Sequence, residues 1–247
     1  MERLHCFAMN YWSATRAPRY SIVFAVPLLL LYEGLAWAMG RTGMSQVRNG
    51  ADVLLKNLFI ALGGRYGLTA FAVVLLLVGL FLVGRDVRKN GRPIWRTFVG
   101  MAVESVVYAM LLGVVASALT SMLLTGRLML VQGPPAEQFS TPVQLMVSLG
   151  AGLYEELVFR VLLVSGLAAL GAKVFGMKPV PSGIMAAILG AVIFSAFHYI
   201  GPYGDPFQVG SFTFRAIAGL LFSTLYLTRG FGIAAWSHAL YDVFLTL

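Results

Sequence analysis

The stretch LYEELVFR, residues 153–160, sets Glu155, Glu156 and Arg160 among apolar side chains. A carboxylate in such surroundings can neutralise a cation, bind a metal or accept a proton as a general base. Glu156 and Arg160 are i and i+4, the spacing at which helical side chains meet, so Arg160 is expected to neutralise Glu156. Glu155 lies about 100° further round an α-helix and is left for other work. Its face carries Ser148, Ala151 and Gly152, small residues that either permit close helix packing or leave room for water or an extended peptide. Downstream, FSAFH puts Phe194 and His198 on one face, and HALYD does the same for His238 and Asp242. The ordinary role of an intramembrane histidine is a hydrogen bond between helices. Two histidines and a charged glutamate pair on three helices can also form a polar pocket that polarises water.

The elements that must hold these residues are membrane helices. Of 247 residues, 59% are hydrophobic and 11% charged, with a mean hydropathy of +0.82. A soluble domain would carry about 25% charged residues. Several apolar runs approach the roughly 20 residues that cross a bilayer as a helix, and none shows the alternation of barrel strands. Against that background the polar residues are concentrated oddly. Of ten Asp and Glu residues, Glu33, Glu104, Glu155, Glu156 and Asp242 fall in apolar segments, as do two of three histidines. An ionised group at the bilayer centre costs about 2.5–3.5 kcal/mol, so each is expected to be paired or functional. For Glu33, Glu104 and Arg215 the expected role is interhelical pairing, with a proton or solute path as the alternative.

The expected fold is all-α, a polytopic transmembrane bundle of about seven spans: 20–39, 66–84, 97–125, 145–170, 182–200, 211–228 and 231–247. Residues 51–63 are too short to span and read as an interfacial or re-entrant helix. The first run is longer than a signal-peptide core, so it is read as a retained helix despite Ala36-Trp37-Ala38. No linker marks a second domain, so residues 1–247 are taken as one. The net charge of +8 follows from lysines and arginines between the apolar runs, which favours lipid headgroups over nucleic acid as the partner. The loop 85–96, RDVRKNGRPIWR, is strongly basic and places the N-terminus in the cytoplasm. Cys6 is the single cysteine, which excludes an intramolecular disulfide and a thiolate zinc site.

Taken in order, Glu155-Glu156-x-x-x-Arg160, Phe194-x-x-x-His198 and His238 with a polar residue four positions later resemble the CPBP family. That family includes the CAAX-processing Ras-converting enzyme and bacteriocin-processing proteins. The resemblance covers about residues 145–247, and Gly219 with Tyr226-Leu227-Thr228-Arg229-Gly230 is similar to the family's weaker third motif. It implies an integral membrane protein, as of a bacterial inner membrane, that cleaves a membrane-tethered peptide or protein with a glutamate-activated water and needs no cofactor. Carried over, Glu155 is the base and His198 helps hold and deprotonate the water. Glu156 and Arg160 support the motif helix, and His238 stabilises the oxyanion. The family often has asparagine where this chain has Asp242. An ionised aspartate cannot donate to an oxyanion, so Asp242 is expected to orient His238, which remains the donor.

The nearest alternative is a zinc peptidase ligated by Glu155, His198 and His238, but the chain has no H-E-x-x-H. The glycine motifs of aspartyl and serine intramembrane proteases and of the P-loop are each broken. The remaining alternative is a non-catalytic membrane protein, either a transporter or a scaffold or immunity protein. The paired, interrupted repeats common in transporters are not visible.

Overall fold

The computed structural model describes residues 11–41, 47–127, 140–201 and 204–246. Among these the secondary structure is helical. The elements are α1 (Pro18–Arg41), α2 (Gly50–Gly63), a 3-10 turn (Gly64–Tyr66), α3 (Gly67–Asn90) and α4 (Trp95–Thr125). There follow α5 (Thr141–Gly150), a π-helical segment (Ala151–Val164) and α6 (Ser165–Lys173), which run on as one rod, and then α7 (Pro179–Phe197), α8 (Val209–Arg229) and α9 (Phe231–Thr246). Each of the seven expected spans corresponds to one of these helices or to the rod, and α2 is the separate short helix expected over residues 51–63.

The chain is a polytopic integral membrane protein. Five stretches are long and apolar enough to cross a bilayer: α1, α2–α3 taken together, α4, α7 and α8. The count of seven spans is therefore approximate. The rod carries the charged motif and changes winding along its length, and α9 has only 16 residues. At 1.5 Å per residue α9 is about 24 Å long, short of the roughly 30 Å hydrocarbon core. The π segment of the rod and α9 are largely buried in the bundle. In α9, Gly232, Ile233, Ala234, Ala235, Ser237, His238 and Ala239 are all buried, and it packs against α1, α4, α5 and the π segment. By contrast α3 exposes Leu76, Leu77, Leu80 and Phe81, as a lipid-facing helix should.

Helix ends follow local chemistry. Asn49 caps α2, its Oδ1 accepting the Ala51 N–H at 2.9 Å. Gly230, at φ +88, makes the sharp turn from α8 to α9 that a side chain would resist. Glu33 and Glu104 pair between elements as expected, whereas Arg215 finds its partner in the loop just before its own helix. Arg48 and Lys56 reach Glu33 at 2.9 and 3.1 Å, Arg229 grips Glu104 through two nitrogens, and Arg215 pairs with Asp205.

Candidate active site

The motif helix is not wound as expected. From Ala151 to Val164 it is a π-helix, and at its end the Ser165 N–H reaches back to the Arg160 carbonyl. Such windings are rare, occur mostly as single turns, and are frequent at functional sites. A π turn holds more residues than an α turn, so adjacent side chains diverge by less than 100°. Glu155 and Glu156 nevertheless face different surroundings. Glu156 is 0% exposed and Arg160 is 1% exposed, whereas Glu155 is partly exposed.

Around the start of the π segment, close packing depends on Gly150 and Gly152. A Cβ on Gly152 would lie 2.4 Å from the Ala235 carbonyl oxygen and 2.6 Å from Ala239 Cβ, so α9 approaches the π segment only because none is there. A Cβ on Gly150 would meet the Tyr32 ring at 2.6 Å and Asn49 Cβ at 2.8 Å. Gly152 therefore serves close packing, the plainer of the two uses expected of that small face. Gly150 lets α1 and the start of α2 reach the rod.

Glu156 Oε1 takes both of its neighbours. Arg160 Nη1 is 3.3 Å away, and His238 Nδ1 donates to it at 2.7 Å. The Arg160–Glu156 pair is thus present as expected, and His238 is an addition to it. The guanidinium also lies 4.4 Å from the Phe194 ring centroid and 5.8 Å from that of Phe222, so aromatic faces stand in for solvent around it. Phe194 packs edge-on to Phe159, His198 and His238. Phe222 stacks on His238 at 4.5 Å and 22°. His238 Nε2 is 3.7 Å from Asp242 Oδ2, beyond hydrogen-bond range. The side chain that fixes the imidazole is therefore Glu156, with Asp242 as a charge nearby.

His198 sits at the C-cap of α7, just past the helix, and its Nδ1 donates to the Phe194 carbonyl at 2.9 Å. A carbonyl only accepts, so the neutral ring carries its proton on Nδ1 and presents the Nε2 lone pair. Its own carbonyl accepts the Asp205 N–H at 2.9 Å, which folds the following loop back over the histidine. Glu155 lies near both His198 and His238. Its Oε1 accepts from Asn49 Nδ2 at 2.8 Å.

Glu155, His198 and His238 are thus brought to one region, with Glu156, Arg160 and Phe194 buried behind it and Asp242 at its edge. Asn49 and Phe222 were not anticipated. The Asn-Gly pair at 49–50 reads as a helix start, but a partner 106 residues away leaves no local signal. Phe222 looks like any aromatic of an apolar helix. Among the described residues no group of three or more His, Cys, Asp or Glu side chains converges as a metal would require.

These features define a class: a polytopic helical membrane protein with a carboxylate–histidine site enclosed by its helices. Residues 137–244 match the family model described as Rce1-like, type II CAAX prenyl endopeptidase Rce1-like. The match spans every motif residue from Glu155 to Asp242 and bears out the resemblance drawn from them; it supports a membrane endopeptidase. No curated protein and no solved structure matches the chain.

Proposed function

We propose that this protein is an intramembrane endopeptidase in which Glu155 is the general base. The observation that carries this reading is the division between adjacent glutamates. Glu156 is fully buried and shared by Arg160 and His238, while Glu155 is partly exposed and, among the described residues, has one oxygen uncommitted to a hydrogen bond. A water held between that oxygen and His198 Nε2 loses a proton to Glu155 as its oxygen attacks the scissile carbonyl carbon. His238, carrying both ring protons, donates from Nε2 to the developing oxyanion while Glu156 holds Nδ1. The intermediate collapses as Glu155 returns the proton to the leaving amine. Arg160 and Phe194 keep Glu156 and the two histidines in place.

The substrate is a membrane-tethered peptide or protein, the bilayer confining it to the site. The basic loop 85–96 favours a cytoplasmic N-terminus, as of a bacterial inner membrane. The test uses purified protein in proteoliposomes with a panel: a prenylated CAAX peptide, its unprenylated form, a leader peptide and a C-terminal sorting tail. Cleavage of at least one by the wild type, its loss in Glu155→Gln, and its persistence in chelator with no bound metal are expected. Equal product from Glu155→Gln removes Glu155 as base, loss of activity on chelation restores the metallopeptidase, and no cleavage of any peptide favours a non-catalytic scaffold.

A further inference from the structure

Asn49 lies outside the matched segment, yet its amide is the direct hydrogen-bonding partner that the structure gives Glu155. It is buried, and both ends of its amide are engaged: Oδ1 accepts from Ala51 N–H at 2.9 Å and Nδ2 donates to Glu155 Oε1 at 2.8 Å. The backbone donor fixes which end is oxygen, so the Nδ2 direction follows from the helix cap itself. Capping alone is served about equally well by Asp, Ser or Asn. Of these, asparagine alone caps with an oxygen while offering a second group that donates to a carboxylate.

The support behind Asn49 is unusually firm for a short helix. Asp52, 0% exposed, accepts from Tyr32 at 2.8 Å and pairs with Lys56 at 2.7 Å and Arg48 at 3.4 Å. Arg48 and Lys56 also hold Glu33, which accepts from Tyr154 of the π segment at 3.1 Å. The start of α2 is thereby tied to α1 and to the residue immediately before Glu155. Gly150 supplies the space that the approach requires.

We propose that Asn49 is a positioning residue for Glu155: α2 and its charged network hold the asparagine amide against one carboxylate oxygen, so that the other is aimed at water. This rests on the reading of Glu155 as the base. Tying one oxygen removes rotation of the carboxylate, and misplacement of a reacting group by about 1 Å can cost on the order of a hundredfold in rate.

The test compares Asn49→Ser and Asn49→Asp with the wild type in proteoliposomes, on the prenylated CAAX peptide or whichever panel peptide the wild type cleaves. Both variants keep a capping oxygen. Serine is too short to reach Glu155, and aspartate presents an acceptor where a donor is needed. Melting temperatures within about 2 °C of wild type are expected for Asn49→Ser. In both variants kcat falls at least tenfold with KM within twofold. A purely structural cap predicts kcat near wild type, so a kcat within twofold in Asn49→Ser, or a loss matched by the unfolded fraction, overturns the proposal. Glu155→Gln is run alongside. If it is inactive while Asn49→Ser is fully active, the base stands and the positioning role fails. If Glu155→Gln is active, or no peptide is cleaved by the wild type, the base reading fails and this proposal with it.

Discussion

Gly152→Ala tests whether the distance between α9 and the π segment sets the site. The added methyl would start 2.4 Å from the Ala235 carbonyl oxygen and 2.6 Å from Ala239 N and Cβ, and ordinary contact begins near 3.4 Å. Two of these three atoms are backbone, so no side-chain rotation relieves the clash, and the helices must separate by about 1 Å. His238 is the neighbour of Ala239, and its 2.7 Å bond to Glu156 would stretch toward roughly 3.7 Å, outside the 2.7–3.2 Å range of a hydrogen bond. Overpacking alone costs about 1–3 kcal/mol. Gly166→Ala is the control on the same rod, where a Cβ meets nothing within 4 Å; there alanine favours the helix by about 0.5–1 kcal/mol. Thermal unfolding in detergent and peptide cleavage in proteoliposomes are measured on both. Gly152→Ala is expected to melt several degrees lower and to lose at least tenfold in cleavage rate per folded molecule, while Gly166→Ala matches or exceeds wild type. A Gly152→Ala protein with wild-type melting and cleavage would show that the contact does not position His238.

Arg160→Met leaves Glu156 with His238 as its one partner among the described residues, and breaking a buried pair costs about 3–5 kcal/mol, so a sharply lower melting temperature is expected. Arg160→Lys restores little, because an ammonium cannot spread over Phe194 and Phe222 as the planar guanidinium does. Glu104→Gln removes the charge gripped by Arg229 at 2.5 and 2.7 Å, and is expected to lower stability by about 3 kcal/mol while leaving the cleavage rate per folded molecule unchanged. Asp242→Asn breaks no hydrogen bond to His238, since the separation is 3.7 Å, whereas Glu156→Gln weakens one of 2.7 Å. The rate is accordingly expected to fall further in Glu156→Gln than in Asp242→Asn, and the reverse order would return the orienting role to Asp242.

The fold was legible because lipid is a strict solvent. Apolar runs of spanning length leave helices as the available answer, and α1, α3, α4, α7 and α8 lie close to where hydropathy puts them. The Glu156–Arg160 pair and the Phe194–His198 face were also legible, since both are i,i+4 relations within one segment. Three features were not. The π winding of residues 151–164 is one, since no composition rule announces it. The Asn49–Glu155 contact joins residues far apart in the chain, so it exists only once α2 has folded against the rod. The His238–Glu156 bond was hidden by a nearer candidate, because Asp242 stands four residues away on the same helix while Glu156 arrives from another.

That last contact bears on why two glutamates stand side by side. A single buried carboxylate that both neutralised Arg160 and accepted the proton of water would lose its hold on the guanidinium whenever it was protonated. With two, the proposed mechanism separates the tasks. Glu156 is held between Arg160 and His238, and a change in the protonation of Glu155 leaves that pair of contacts intact. The same carboxylate that stabilises the buried arginine then orients the imidazole, so the cost of burying Arg160 is met by a group that also shapes the site. Glu155 is correspondingly free of cations at hydrogen-bond distance among the described residues, and is tethered instead by the neutral amide of Asn49. A lysine or arginine in the place of Asn49 would hold the carboxylate more strongly but oppose its protonation. A neutral donor holds it in position and leaves it able to take up a proton, which a base that must return that proton to the leaving amine requires.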